Sequence, residues 1–294
     1  MKPTITVIGT GRMCSALVLA LRKQEYRVVI WNRTKAKGEP LAAQGAQLAA
    51  TVLDAVTAAD VILVNVNDYA TSNELLQTDG ATSALRGKLL IQLTSGTPKQ
   101  ARTLGDWAHR AAIPYLVGAI MATPNLIGEP GCTILYAGAV EQYEQSKAVL
   151  LALGGNPVYL GDDVGHASTL DNALLALVWG AMFATLQGAT ICTAEQFPLA
   201  AYGESIRAIL PAVEESTIDI VRRIEQQRFA GETSLGTVDL HSGGVLRLLQ
   251  LCQEHGIDPA VPNAFVHLFQ LGIKAGHGPD DFAVLSKFIT SYAK

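Results

Sequence analysis

Charged residues are scarce in this sequence of 294 residues, and the shortage bears on which partners it can have. Asp, Glu, Lys and Arg together make up 16% of the chain, and the formal net charge is −4. A chain with this balance has no electrostatic support for binding nucleic acid or an anionic membrane surface. We therefore expect no nucleic-acid partner and no membrane partner.

Cysteine is also rare, and its spacing is not that of a metal site. The four cysteines, Cys14, Cys132, Cys192 and Cys252, stand far apart. This spacing argues against both a zinc ligand set and a disulfide framework. The chain also enters a β-branched run at Thr4 without a basic and then apolar leader. We expect no metal, reduced thiols and a cytoplasmic protein.

Long apolar runs are missing too, with one near exception. A long helix is predicted from Gly165 to Cys192, and its core from Ala173 to Ala189 is apolar apart from Thr185 and Gln187. This core is shorter than the about 20 apolar residues of a membrane span. A helix that is apolar on all sides must be buried. With one small domain left to cover it, we expect a second subunit, and thus a homodimer.

A glycine turn follows the first predicted strand. The β-branched run Thr4–Ile8 leads directly into Gly9-Thr10-Gly11-Arg12-Met13, which opens an apolar-periodic helix. Such a turn lets backbone N–H groups approach a pyrophosphate at a helix N-terminus. The third glycine position of the fingerprint is Cys14, a small hydrophobe at a place that serves helix–strand packing.

An acidic residue is absent from the end of the second predicted strand, where an NAD enzyme usually has one. The strand Tyr26–Trp31 ends in Asn32-Arg33-Thr34. The acid would bond the ribose 2′-hydroxyl. Arg33, helped by Lys35 or Lys37, instead suits a 2′-phosphate, so the sequence predicts an NADPH site.

Strands and helices alternate up to about residue 162, which predicts a doubly wound, mostly parallel sheet. Ligands of such sheets lie outside the carboxyl ends of the strands. The residues expected to line one crevice there are Gly9, Asn32, Val66, Asn67, Thr94, Ser95, Met121 and Ala122. The predicted strands are Thr4–Gly9, Tyr26–Trp31, Ala46–Ala49, Val61–Val66, Leu89–Thr94, Tyr115–Met121, Ile134–Ala137 and Pro157–Leu160.

Helices dominate the rest of the chain. We divide the whole chain into three parts: an α/β cofactor domain at residues 1–162, a long helix at residues 163–193, and an all-α domain at residues 194–294. The predicted helices are Gln100–Ala112, Val140–Leu153, Gly165–Cys192, Ile206–Gln227, Val238–Glu254, Val261–Ala275 and Phe282–Tyr292.

Several motifs in order make the chain resemble the imine reductases and reductive aminases, a branch of the β-hydroxyacid dehydrogenase superfamily. The resemblance covers essentially the full length. It rests on residues 9–13 and 31–34, and on Leu93-Thr94-Ser95-Gly96-Thr97-Pro98. It continues through residues 118–124, Gly128, residues 135–138, Leu170-Asp171-Asn172-Ala173-Leu174-Leu175 and Gly276-His277-Gly278.

The resemblance implies an N-terminal Rossmann domain, a long interdomain helix and a helical dimerisation and substrate domain. It implies a domain-exchanged homodimer, with each active site between one subunit's cofactor domain and the other's helical domain. It also implies NADPH as cofactor, held by residues 9–13, Asn32, Arg33, Thr34, Lys37, Val66, Asn67, Thr94 and Ser95.

Asp171 stands where hydroxyacid dehydrogenase relatives carry a lysine, seven residues into the glycine-led run from Gly165. A lysine polarises a carbonyl, whereas a carboxylate suits a substrate that becomes cationic, the protonated imine. Asp171 would either stabilise that cation or protonate the nitrogen, and the sequence leaves both roles open. An acid early in a helix also favours the helix dipole, which is the purely structural interpretation.

Other positions bear on the substrate. We expect a pocket lined by Met121, Thr123, Trp179, Met182, Phe183, Tyr202 and His241. In the family, a tyrosine often stands where this chain has Trp179, and reductive aminases carry asparagine where it has Ser95. These departures, at positions with catalytic roles in relatives, place preformed cyclic imines ahead of a carbonyl plus an amine as substrate.

Two further hypotheses stay open at this stage. One is a β-hydroxyacid or aldehyde reductase with altered acid–base groups. Against it, position 171 is Asp instead of Lys, and residues 121–124 offer no cluster of hydrogen-bond donors for a substrate carboxylate. The other is a non-catalytic NADPH-binding protein, which the residues Cys14, Ser95 and Trp179 would favour.

Overall fold

The computed structural model describes residues 2–234 and 236–289. A boundary after Val178 divides the chain into two compact units. The first unit holds the sheet and the helices around it. The second unit is helical.

An eight-stranded sheet forms the centre of the first unit, and each predicted strand has a counterpart in it. The order across the sheet is β3-β2-β1-β4-β5-β6-β7-β8. The neighbouring strands pair in parallel, except β6 and β7, which are antiparallel. The strands are β1 Ile5–Ile8, β2 Val28–Trp31, β3 Gln47–Leu48, β4 Val61–Val64, β5 Leu89–Gln92, β6 Tyr115–Ile120, β7 Thr133–Gly138 and β8 Asn156–Tyr159.

The middle strands are covered on both faces, as parallel strands require. All four residues of β1 and of β4 are buried. One apolar cluster, which contains Val7 and Leu63, packs on one face, and another, which contains Ile8 and Ile62, packs on the other. The strand order changes direction between β1 and β4: β2 and β3 extend the sheet on one side of β1, and β4 and β5 extend it on the other. This switch point is where a doubly wound sheet binds its ligand.

Seven helices flank the sheet in the described part of the first unit. The predicted helix 140–153 has those bounds, whereas the predicted helix 100–112 begins two residues earlier, because Pro98 suits a first turn and Thr97 and Gln100 form a capping box. The helices are α1 Arg12–Lys23, α2 Glu39–Ala42, α3 Val52–Thr57, α4 Tyr69–Leu76, α5 Asp79–Leu85, α6 Pro98–Arg110 and α7 Val140–Leu153.

The long apolar helix α8, Gly165–Ala194, passes the boundary between the two units. Only four of its residues are buried: Gly165, Ala167, Ser168 and Asp171. By length and composition it is the one described helix that could cross a membrane, with a mean hydropathy of 1.6 over its most apolar window. That window is not buried within the chain, so its apolar surface needs another cover.

The second unit continues with helices close to the predicted ones. They are α9 Leu199–Glu225, α10 Val238–Glu254, α11 Ala260–Lys274 and α12 Ser286–Ile289. The prediction for α9 was wrong at its start, because the helix begins directly after Pro198, seven residues before Ile206. The predicted helix 282–292 is a 3-10 turn, Phe282–Leu285, followed by α12, and its last residues lie outside the described chain.

A buried ion pair network ties α9 to the segment before the 3-10 turn. The Arg223 side chain is 3% exposed, and its Nε lies 2.5 Å from Asp219 Oδ2 and 3.4 Å from Asp281 Oδ2. Ser234 Oγ donates to the same Asp281 oxygen at 2.5 Å. The guanidinium lowers the pKa of Asp219 below its usual value. The network joins three separate segments of the second unit.

Arg223→Ala is expected to destabilise the protein by about 3 kcal/mol, because it leaves buried carboxylates without their cation. Arg207→Ala on the same helix is the matched control. The Arg207 side chain is 81% exposed and lies 3.9 Å from Glu204. Exposed pairs contribute little, so its effect should stay below about 0.5 kcal/mol. The urea midpoint of unfolding measures both, and equal shifts would contradict this account of the network.

Candidate active site

The turn between β1 and α1 has the backbone geometry of a phosphate-binding loop. Gly9 has a φ of +115°, a conformation that side chains other than glycine rarely adopt. A Cβ there would collide with the Asn65 carbonyl oxygen and lie 2.8 Å from Cys14 Sγ. Glycine is therefore required at this position by both its dihedral angle and its neighbours.

The first turn of α1 is open to an anion. Its N-cap Gly11 offers no side-chain acceptor, whereas α3, α4, α5 and α6 are each capped by a Thr or Asp side chain. A Cβ on Gly11 would meet nothing within 4 Å, and the buried Thr10 Oγ1 has no hydrogen-bond partner. Free N–H groups, an unpartnered hydroxyl and open space fit a pyrophosphate.

Cys14 fills the third fingerprint position without reaching the open side of the turn. It is buried, and its thiol donates to the Asn65 carbonyl oxygen at 2.9 Å. Burial raises its pKa to about 11, so the thiol is neutral and unreactive at neutral pH. Cys14 packs α1 against the loop after β4, the role that a small residue has at this position.

The end of β2 presents basic side chains to the same cavity. Asn32 Nδ2 donates to the Thr34 carbonyl at 2.8 Å and shapes the turn, which leads into a 3-10 turn at Lys35–Lys37. Arg33 and Lys37 are exposed. They line the cavity together with Arg12, opposed by a single acid, Glu74. This excess of positive charge suits a phosphate-bearing ligand.

These elements enclose one cavity of about 480 Å³. It brings together eleven of the predicted cofactor residues, Gly9, Thr10, Gly11, Arg12, Met13, Asn32, Arg33, Thr34, Lys37, Val66 and Asn67. Sequence reasoning missed Trp31, Asn65, Thr71, Glu74 and Leu75. Thr71, Glu74 and Leu75 lie on one face of α4, the helix that follows β4. Their i, i+3, i+4 spacing is the signal that would have found them.

Thr94 and Ser95 lie at the same edge of the sheet but outside the lining of this cavity. Thr94 is 2% exposed, and its Oγ1 accepts from the Val66 N–H at 3.0 Å. Asn65 Nδ2 donates to the Leu93 carbonyl at 2.7 Å. Thr94 therefore fixes the loop that carries Val66, while Ser95 is exposed at the edge.

Met121 and Thr123 follow β6. Met121 is half-buried against the apolar cluster that contains Ile62, and its N–H donates to the Thr133 carbonyl at 3.0 Å. Thr123 is exposed, and its hydroxyl donates to Asn125 Oδ1 at 2.7 Å. The structure does not place either residue in the cofactor cavity.

Asp171 is a buried carboxyl without a protein partner. It is 6% exposed, and no group in the described chain donates a hydrogen bond to its side chain. The loss of solvent raises its pKa above the ordinary value of 3.8. Asp171 stands in the second turn of α8, and this position does not cancel the cost of burying its charged form. A carboxyl of this kind is poised to hold a proton or to accept a cation.

Neighbouring hydrogen bonds fix the part of α8 that carries Asp171. Asn172 Nδ2 donates to the Gly96 carbonyl at 2.9 Å and to the Ser168 carbonyl at 2.7 Å. Arg102 makes a bidentate ion pair with Asp163, just before the helix, with a shortest distance of 2.7 Å. The loop at 94–97 and the start of α8 are thus held together beside Asp171.

Two family models cover nearly the whole chain. Residues 4–161 match the NAD binding domain of 6-phosphogluconate dehydrogenase, and residues 163–291 match the C-terminal domain described as NADPH-dependent reductive aminase-like. The NADPH-dependent reductive aminase of Aspergillus oryzae is 30% identical over 291 residues, which cover 98% of this chain and 97% of the relative. The chain belongs to the imine reductase and reductive aminase family.

Solved structures of the same family superpose on it over nearly the full length. The imine reductase from Myxococcus stipitatus in complex with NADP+ has a TM-score of 0.94 and 48% identity, covering 98% of this chain and 100% of that one. The reductive aminase from Aspergillus terreus in complex with NADPH and ethyl-5-oxohexanoate has a TM-score of 0.90 and 31% identity, with the same coverage. The family, the mostly parallel Rossmann-type sheet and the helical C-terminal domain predicted from the sequence are confirmed.

The other residues predicted for an imine reductase pocket lie in the second unit. On α8, Trp179, Met182 and Phe183 are 55%, 54% and 59% exposed, unusually high for large apolar side chains. The Tyr202 hydroxyl lies directly over Gly188 and makes a long hydrogen bond of 3.4 Å to the Thr185 carbonyl. A role as a substitute for the missing family tyrosine stays a prediction.

The histidines have ordinary structural contacts. His241 is exposed, and its ring packs edge-on against Phe282 with centroids 5.6 Å apart. His166 Nδ1 lies 3.0 Å from the Leu160 carbonyl, and His277 Nδ1 lies 2.7 Å from Asp280 Oδ2. No group of three or more His, Cys, Asp or Glu side chains in the described residues is arranged to hold a metal ion.

Proposed function

We propose that this protein reduces the C=N bond of cyclic imines or iminium ions to amines, and that Asp171 holds or protonates the nitrogen. The observation that carries the proposal is a buried carboxyl with a raised pKa and no internal partner, in a chain of this family. Reduction of C=N bonds with NADPH is the activity named for the relatives.

The cofactor cavity fits NADPH. The first turn of α1 with Thr10 would bind the pyrophosphate, and Arg33 with Lys37 would bind the 2′-phosphate. NADPH, when bound, supplies the hydride for the imine carbon. The chain's own contribution is to position that cofactor at the carboxyl edge of the sheet and to present Asp171 from α8.

Asp171 favours a cationic substrate over a carbonyl compound. A carboxylate about 4 Å from an iminium nitrogen contributes roughly 4 kcal/mol at an effective dielectric near 20. In the turn after β6, the Thr123 hydroxyl already donates to Asn125 Oδ1, so this hydroxyl is not free to bind a substrate carboxylate. Ser95 and Trp179 lead us to propose preformed cyclic imines as better substrates than a ketone plus an amine.

Isotope transfer tests the proposed reaction directly. The enzyme is incubated with a cyclic imine and with NADPH that carries deuterium at both hydrogen positions of nicotinamide C4. We expect an amine with one deuterium on the former imine carbon, found by mass spectrometry. If the imine is recovered unreacted after incubation with many equivalents of enzyme, and the label stays on NADPH, the proposal is overturned.

We also propose that the enzyme is a homodimer in which a second copy covers the apolar faces of α8 and α9. Large apolar side chains are exposed along both helices in the single chain, among them Leu186 at 63%, Ile209 at 59% and Val221 at 62%. Surface of this kind marks an interface. The partner's helical unit would then complete the substrate pocket, as the family resemblance implies.

Leu186→Glu is expected to shift the protein from dimer to monomer, because it places a charge at the centre of the proposed apolar interface. Size-exclusion chromatography with light scattering, without detergent, measures the mass. Leu53→Glu is the matched control, since Leu53 is 44% exposed on α3 in the cofactor unit. A wild-type protein that is monomeric, or soluble only with lipid or detergent, would contradict the dimer.

A further inference from the structure

Asn172, the residue after Asp171, joins α8 to the loop that follows β5. Its Nδ2 group donates to the Gly96 carbonyl at 2.9 Å and to the Ser168 carbonyl, four residues earlier on α8, at 2.7 Å. A side-chain amide carries two N–H donors, so each of these acceptors can take one of them. The amide is therefore held from both sides, by its own helix and by the loop.

The loop is a fixed partner for this bond. Thr97 and Gln100 close a capping box where the loop enters α6. The Gly96 backbone lies against the ring of Tyr69, and a Cβ on Gly96 would collide with two of the ring carbons. Tyr69 itself is 2% exposed. A loop packed in this way cannot follow a displaced helix, so the bond fixes α8 to the loop.

The same loop is tied to the cofactor cavity. The Val66 N–H donates to Thr94 Oγ1 at 3.0 Å, and Asn65 Nδ2 donates to the Leu93 carbonyl at 2.7 Å. Asn65 and Val66 both line the cavity. Residues 93–96 therefore connect the cavity proposed to hold NADPH with the start of α8.

Asp171 needs such an anchor, because its own side chain provides none. It is 6% exposed, and no group in the described chain donates a hydrogen bond to its carboxyl. The buried part of α8 also ends at Asp171. The helix backbone therefore sets the place of the carboxyl, and the bond from Asn172 to Gly96 holds that backbone one residue away.

We propose that Asn172 is a positioning residue for the reduction, which holds Asp171 at a fixed place relative to the cofactor. The inference rests on the proposed function, in which Asp171 meets the substrate nitrogen. Asn172 acts through Gly96 and the loop, without touching the substrate. A misplacement of about 1 Å can lower a rate about 10²-fold, so a small shift of α8 should affect the chemical step more than binding.

Asn172→Ser separates the bond to the loop from the bond within the helix. A serine hydroxyl can donate to the carbonyl four residues earlier, as Ser205 and Ser216 do on α9, but its side chain is too short for Gly96. We expect kcat for a cyclic imine to fall about tenfold, with Kd for NADPH and KM for the imine within about twofold of the wild type. Because Asn172 is exposed, the substitution leaves no buried cavity.

Thr169→Ala is the matched control. Thr169 is also exposed on α8, and its Oγ1 donates to the Gly165 carbonyl at 2.9 Å, a bond within the helix. It should leave kcat and KM unchanged, and the urea midpoints of unfolding of the two variants should agree. If Thr169→Ala lowers kcat as much as Asn172→Ser does, the loss reflects a loosened helix, and the inference is overturned.

A double-mutant cycle shows whether Asn172 acts through Asp171. In the Asp171→Asn background, the further change Asn172→Ser should lower the residual rate by less than about twofold, because no acid is left to position. Deuterium transfer from labelled NADPH over a long incubation measures that residual rate. The same tenfold loss in both backgrounds would mean that Asn172 acts independently of Asp171, which overturns the inference.

The inference and the proposed function fail in different ways. If the wild type reduces no imine, or if Asp171→Asn reduces it at the wild-type rate, the proposed function is overturned. If Asp171→Asn loses activity as expected while Asn172→Ser keeps the wild-type kcat, only the role of Asn172 is wrong.

Discussion

Replacing Asp171 with asparagine is expected to lower kcat for a cyclic imine by about 10²- to 10⁴-fold, the range for loss of a general acid or base. The substitution keeps the shape of the side chain but removes both its charge and its transferable proton. The affinity for NADPH should be unchanged, because Asp171 lies outside the cofactor cavity. Steady-state kinetics and a cofactor titration by fluorescence measure the two quantities.

Asp79→Asn is the matched control, an exposed acid in the first turn of α5, and it should leave kcat unaltered. Turnover of Asp171→Asn at the wild-type rate would contradict the assignment. A parallel loss of NADPH affinity would show instead that the substitution had disturbed the cofactor unit.

The pH dependence of the wild-type rate separates the two roles left open for Asp171. Burial raises the pKa of this carboxyl above 3.8, so its protonated form persists to higher pH than usual. If Asp171 donates the proton, kcat falls as pH rises through that raised pKa. If the carboxylate acts by its charge alone, kcat rises over the same interval. Either limb should disappear in Asp171→Asn.

Replacing Arg33 with alanine is expected to weaken NADPH binding by about 10- to 100-fold and NADH binding by less than about threefold. Arg33 lines the cofactor cavity at the end of β2, where a 2′-phosphate is expected. A charged hydrogen bond contributes about 1.5–3 kcal/mol, and each 1.4 kcal/mol is a factor of ten. Only NADPH carries the phosphate, so only its binding should lose this contribution.

Arg86→Ala provides the control for loss of positive charge alone, because Arg86 is exposed at the end of α5, outside the cavity. It should alter neither dissociation constant. Equal weakening of the two cofactors by Arg33→Ala would mean that Arg33 contacts a part of the molecule common to both. The 2′-phosphate assignment would then be wrong.

Local patterns were sufficient to predict the sheet. Most strands are short β-branched or apolar runs bounded by turn residues, and all eight were placed within a few residues of their observed ends. The glycine turn at residues 9–11 and the basic end of β2 were predictable for the same reason. Helix ends were less accurate, since the start of α9 depends on Pro198 rather than on apolar periodicity.

The parts of the site that were not predicted are assembled from distant segments. Thr71, Glu74 and Leu75 line the cofactor cavity because of the direction in which α4 packs, which no local motif specifies. The side chains on α8 beyond Val178 need a partner surface to define their role, so Trp179, Met182 and Phe183 stay predictions.

NADPH oxidation by the purified enzyme with a small cyclic imine, measured beside NADH and beside a β-keto acid, tests the central claim most directly. The account predicts turnover of the imine, a clear preference for NADPH, and no turnover of the acid. Turnover of the keto acid with none of the imine would contradict it, and would mean that Asp171 serves the reduction of a carbonyl instead of an imine.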